Sequence, residues 1–122
     1  MAIDPKRLAG VANLSVDGRR FMLASGLQYG VSTVERTSLV GQDRPHGYSE
    51  KPKVGFIAGT LRDAYGMSVA DFNAMTNVSV VAELANGKTI VGRNMWTVDA
   101  QDVNTEEGTF AVRWEGEFVE EA

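Results

Sequence analysis

A chain of 122 residues, 43% hydrophobic and 23% charged, is long enough for one domain with a real core and is not the composition of a disordered segment. The absence of cysteine excludes disulfides, thiolate nucleophiles and cysteine metal sites, and a single histidine, His46, argues against a transition-metal centre. The formal charge is −4, no basic stripe with interleaved aromatics suggests a nucleic-acid grip, and no apolar run approaches the roughly 20 residues that span a bilayer.

The opening MAIDPKRLAG lacks the apolar centre of a signal peptide, so synthesis in the cytoplasm is expected. Charge is unevenly placed. Residues 1–62 hold nine Lys/Arg and five Asp/Glu, a balance of +4, whereas residues 63–122 hold three and eleven, a balance of −8. A solvated acidic tail, EGEFVEEA, accounts for part of this. A polar protomer whose basic side meets the acidic side of the next copy is the other reading.

Residues 1–9 read as a flexible arm, ahead of a single domain over residues 10–119 and an acidic end at 120–122. VANLSVDGRRFMLA reads as a hairpin turning at Asp17-Gly18, with Leu14 opposite Phe21 and Ala12 opposite Leu23 on an apolar face. Asn13, Ser15 and Arg20 fall on the other face. LQYGVSTVERTSLV, rich in β-branched residues, follows as one extended strand. GQDRPHGYSEKPK, residues 41–53, has no periodicity and reads as a long loop between extended arms. Loops of that length are usually functional or disordered.

VGFIAGTLRD resumes as a strand, with Phe56 and Ala58 on one side and Ile57 and Leu61 on the other; Gly55 and Gly59 suggest a bend or a close backbone approach. GMSVADFNAMT is the helix candidate, residues 68–76. Ser68 suits the N-cap, Asp71 the third helical position, and Met67 can staple to Phe72. Its apolar stripe, Val69, Phe72 and Met75, must pack on a sheet.

VSVVAELANGKTIVGRNMW reads as two strands joined by a type I′ turn at Asn86-Gly87. That register sets Ala82 opposite Val91 and Glu83 opposite Ile90. One face then carries Val78, Val80, Ala82, Leu84, Val91 and Met95. The other carries Ser79, Val81, Glu83, Lys88, Ile90, Asn94 and Trp96, too apolar to be left in water. VDAQDVNTEEG is a polar connection, and TFAVRWEGEF a final strand with Phe110, Val112 and Trp114 inward and Thr109, Ala111, Arg113 and Glu115 outward. Six to seven strands and one short flanking α-helix predict a mostly β protein, an antiparallel barrel or sandwich.

Catalysis needs a nucleophile with its base, a carboxylate pair in a pocket, or a metal. His46 sits between Pro45 and Gly47 with no serine motif beside it. Glu106 and Glu107 precede Gly108 in a turn where solvation explains them. GVSTVERTSLVG has neither phosphate-loop nor dinucleotide spacing. No catalytic, cofactor-binding or metal residue is therefore expected, nor any cofactor. Trp96 and Trp114 could form a ligand platform, but Glu83 and Glu115 offset the nearby Arg93 and Arg113, which a single-strand-binding barrel would need unopposed.

The stretches LAGVANLSVDGRRF, VERTSLVGQDRPHGYSEKPKVGFIAGTLRD, VVAELANGKTIVGRNMW and EGTFAVRWEG, in this order over most of residues 8–116, resemble the tail tube proteins of contractile-tailed phages, the Mu-like branch in particular. The resemblance implies a β-barrel or sandwich with a flanking helix, six copies per ring, and rings stacked head to tail into a hollow tube for DNA. The tubes of type VI secretion systems and R-type bacteriocins resemble it in architecture. It further implies a virion location in the phage tail, assembly in the host cytoplasm, and a tail sheath protein, a tape measure protein and a baseplate tube initiator as partners. Contact with DNA would be transient and non-specific, with no membrane insertion.

In such proteins a long hairpin loop reaches toward the adjoining ring. Residues 40–53 match it, so Gln42, Asp43, Arg44, Pro45, His46, Tyr48, Glu50 and Lys51 are the inter-ring candidates. Val81, Ile90 and Trp96 are the candidates for an assembly face covered partly by the helix and partly by a neighbouring copy. Two other readings stay open: the tube of a bacteriocin or secretion machine, and a monomeric small β-barrel that binds a ligand or nucleic acid.

Overall fold

The computed structural model describes residues 6–64, 68–99 and 101–122. Among them the chain forms eleven strands and one short helix, all strand pairs antiparallel. Several are too short to register in a sequence pattern, which is why six or seven were expected.

β1 (Asn13–Val16) and β2 (Arg19–Phe21) turn at Asp17-Gly18 as predicted, both residues at positive φ (50° and 83°), with Leu14 opposite Phe21. Asp17 is tied on to the next strand through the Ser79 N–H, which donates to its carboxylate at 2.8 Å. The expected pairing of Ala12 with Leu23 does not occur, because Leu23 opens β3 (Leu23–Gly30) and faces Leu61 instead.

The single strand expected over residues 27–40 is two. β3 ends at Gly30, and after Val31 and Ser32 the chain resumes as β4 (Thr33–Val40). The segment expected to be a loop is largely β5 (Pro45–Lys53), paired with β4, and only residues 41–44 form the turn. It has no period-two signal because it has no buried face: every residue of both strands is exposed. β6 (Gly55–Arg62) then buries Ile57 and Leu61, as the alternation predicts. The β3–β6 and β4–β5 pairs keep one register, Gln28 with Ala58 through Gly30 with Phe56, then Thr33 with Lys53 through Leu39 with Gly47. They are one long hairpin whose inner half joins the main sheet and whose outer half projects.

α1 spans Val69–Asn73, shorter than expected. Ser68 occupies the N-cap but makes no side-chain capping bond, and the Asp71 N–H reaches the Ser68 carbonyl instead. The proposed staple from Met67 lies outside the described residues. Docking to the sheet, not capping, holds this helix in place. Thr97 donates from Oγ1 to the Phe72 carbonyl at 2.7 Å and from N–H to the Met75 carbonyl at 3.1 Å. Phe72 is buried, with the Phe21 and Phe110 rings edge-on at 5.2 and 5.1 Å.

β7 (Val78–Glu83) and β8 (Thr89–Val98) form the predicted hairpin one residue out of the predicted register. The loop has three residues, because the Gly87 N–H bonds the Leu84 carbonyl and the Leu84 N–H bonds the Lys88 carbonyl. Only Gly87 takes positive φ, 91°; Asn86 spends its side-chain oxygen on the Lys88 N–H instead. A slip of one residue exchanges faces. Ile90 pairs with Ala82 inside the core, fully buried, and Val91 joins Val81 on the outer side.

β8 links the two halves of the fold. Its first part lies between β7 and β11 (Phe118–Glu121), its last part against β10 (Thr109–Gly116), and Arg93 and Asn94 bulge between them, with Asn94 at φ 52°. The strand order is β2-β1-β7-β8-β10-β6-β3, with β9 (Val103–Asn104) beside β10. Phe110, Val112 and Trp114 face inward as expected, while Thr109, expected outside, is buried. The acidic terminus is not a free tail: β11 buries Val119 and pairs Glu120 with Arg93 and Glu121 with Lys88.

Candidate assembly surfaces

The β4–β5 ribbon carries all eight inter-ring candidates. Gln42, Asp43 and Arg44 lie in its turn; Pro45, His46, Tyr48, Glu50 and Lys51 lie on β5. At a rise of about 3.3 Å per residue, a strand of this length reaches about 26 Å from the body. A lone two-stranded hairpin is marginal in water. What it has here is local. The Arg36 side chain donates to Glu50 at 2.8 Å and lies 5.4 Å over the Tyr48 ring, and Lys51 stands 3.9 Å from Glu35. Such exposed pairs contribute little each.

The turn has closer contacts of its own. The His46 ring sits where a side chain on Gly41 would go, and its Nε2 meets Asp43 Oδ1 at 2.8 Å. That bond holds the Asp43 carboxyl below its ordinary value. His46 thus shapes the ribbon tip. The named inter-ring candidates leave out Leu39, just before the matched segment, and Val40, its first residue, both well exposed. The available signal was an apolar pair directly before a glycine turn, with no core left for it to face.

The three assembly-face candidates do not share one surface. Ile90 is in the core. Val81, half-buried, and Trp96, 37% exposed, both point outward but on opposite sides of the β8 bulge. Trp96 lies across from Glu115, which lies across from Phe56, so the three form one row on the outer face. Arg113 covers Phe56 at 3.9 Å and reaches Glu115 at 3.2 Å. Phe118, also missed, is exposed at the C-terminal edge. Among the described residues no cluster of His, Asp or Glu has the arrangement of a metal site, and no helix is long and apolar enough to cross a membrane.

The fold is thus an antiparallel β domain with apolar side chains exposed on a projecting ribbon. The family model described as phage tail tube protein matches residues 5–121, and the chain belongs to that family. It is a structural protein of a phage tail, assembling with copies of itself and with other tail components. Comparison with curated proteins gives no match.

Proposed function

We propose that this protein builds the inner tube of a contractile phage tail of the Mu-like kind, as hexameric rings stacked head to tail around a passive DNA channel. The observation that carries the reading is the ribbon: β4 and β5 bury nothing on their own molecule and hold Leu39, Val40 and Tyr48 in water. A neighbouring copy accounts for them, and permanent assemblies commonly bury on the order of 2,000 Å² or more. The sheath packs outside this tube, and the tape measure protein and baseplate initiator meet its interior and its end. The net charge of −4 permits sliding of DNA, which a basic wall would oppose by holding phosphate through counterion release.

Negative-stain images of the concentrated protein test the reading, with rings and rods expected. A variant lacking residues 42–47 should keep its fold and lose rod growth, because that segment touches none of the core. Rods of normal length from that variant would overturn the inter-ring role.

A further inference from the structure

The β7–β8 turn holds the atoms of a reaction that the chain can carry out on itself. Asn86 lies half-buried beside the exposed Gly87, and its Oδ1 accepts the Lys88 N–H at 3.1 Å. A side-chain carbonyl bonded to the N–H two residues on closes an Asx turn, which folds the carboxamide back over the intervening peptide nitrogen, here that of Gly87. That nitrogen is a nucleophile once deprotonated, and the Asn86 carboxamide carbon is its target. The Lys88 N–H points at the oxygen on which negative charge develops during the attack. Gly87 has no Cβ to shield its nitrogen. Its N–H bonds the Leu84 carbonyl at 3.1 Å, and opening that one bond at an exposed hairpin end frees it.

Asn104 gives a comparison within the same molecule. Its Oδ1 accepts the Glu106 N–H at 3.1 Å and the Glu107 N–H at 3.3 Å, so its side chain is folded back in the same way. The residue that follows is Thr105, whose branched Cβ crowds the nitrogen. The remaining asparagines, Asn13, Asn73, Asn77 and Asn94, precede Leu14, Ala74, Val78 and Met95. Asp17 also precedes a glycine but has no amide to lose. Among the described residues Asn86 alone combines the folded-back side chain with an unshielded nitrogen.

We infer that Asn86 is a site of spontaneous deamidation in the folded protein. The Gly87 nitrogen gives its proton to hydroxide and attacks the Asn86 carboxamide carbon. The new C–N bond closes a cyclic imide, and the bond to Nδ2 breaks, releasing ammonia with a proton taken back from water. Water then opens the imide at either carbonyl. Opening at Cγ leaves aspartate, which keeps an oxygen for the Lys88 N–H. Opening at the main-chain carbonyl leaves isoaspartate, with the backbone rerouted through Cγ and lengthened in the turn that sets the β7–β8 register. Either product adds one negative charge to the formal −4. A subunit of a phage tail is not renewed by synthesis once in the particle, so the product accumulates with age.

Peptide mapping by mass spectrometry, after incubating the folded protein in mildly alkaline buffer, tests it. The peptide holding Asn86 should gain the mass difference of an acid over an amide. It should also split into two chromatographic forms, one of them a substrate for an isoaspartyl methyltransferase. Asn86 should react at least about tenfold faster than Asn104. Asn86→Gln, which keeps the amide but demands a larger ring, should lose both products, and Thr105→Gly should speed Asn104 at least about tenfold. The comparison of Asn86 with Asn104 in the unsubstituted protein stands should a variant misfold. Asn86 reacting no faster than Asn104, Asn104 unaltered in Thr105→Gly, or Asn86 reacting only after unfolding in urea overturns the inference. The tube reading is untouched by any of these outcomes.

Discussion

Met95 occupies the space that a side chain on Gly92 would need: a Cβ built at position 92 would collide with the Met95 sulfur. The two residues flank the Arg93–Asn94 bulge and both point into the core, Gly92 opposite Val80 and Met95 opposite Val78. The bulge lets one strand belong to both halves of the fold, and the missing side chain at 92 lets Met95 fold back under it. Gly92→Ala should therefore destabilise the domain by about 1–3 kcal/mol, the usual cost of overpacking. Urea unfolding followed by Trp114 fluorescence measures this, and a loss under about 0.5 kcal/mol, the scale of an ordinary surface change, would mean Met95 has room to move.

The same strand marks how far the sequence could be read. Alternation located β7, β8, β10 and most of the core, because each buries one face. The Asp17-Gly18 turn was legible since both residues must take positive φ. The Asn86-Gly87 turn misled because Asn86 has a second use for its side chain, and the extra loop residue moved Ile90 from the supposed assembly face into the core. The ribbon left no period because nothing covers it. β11 was hidden by composition, with Val119 the one buried residue among glutamates. Of the candidate surfaces, the ribbon segment stood out in the sequence by its irregularity and Trp96 by its misplaced apolarity.

Glu121 ends β11 between two other elements. Lys88, in the β7–β8 turn region, stands 3.2 Å away, and the Tyr29 hydroxyl donates to Glu121 at 3.1 Å. The Lys88 contact, foremost, and the Tyr29 bond hold the Glu121 carboxyl below its ordinary 4.5, and Glu121 in turn raises Lys88. A lowered carboxyl contributes stability that is present above its unfolded value and lost as pH falls through the folded one. The raised lysine contributes below 10.5 and loses it as pH rises through its higher folded value. Glu121→Gln should thus lower the melting temperature slightly at pH 7 and converge on the parent only once the pH has fallen below the lowered carboxyl value. A gap that stays constant from pH 7 to 3 would show that the carboxylate charge is not what couples β11 to Lys88 and Tyr29.

Trp96 and Trp114 report on different things. Trp114 is fully buried and its Nε1–H points at the Met75 sulfur, 3.5 Å away, so assembly cannot change its surroundings much. Trp96 is 37% exposed in a row with Glu115 and Phe56. If neighbouring copies cover this row, concentrating the protein into rods should shift the emission to the blue, and Trp96→Phe should abolish the shift while preserving the assembly. Phenylalanine keeps the apolar contact and removes only the reporter. An unchanged emission spectrum in a sample full of rods would place Trp96 on a surface that stays wet, such as the channel wall or the outside of the tube. Loss of rods in Trp96→Phe would instead make the indole N–H itself part of the contact.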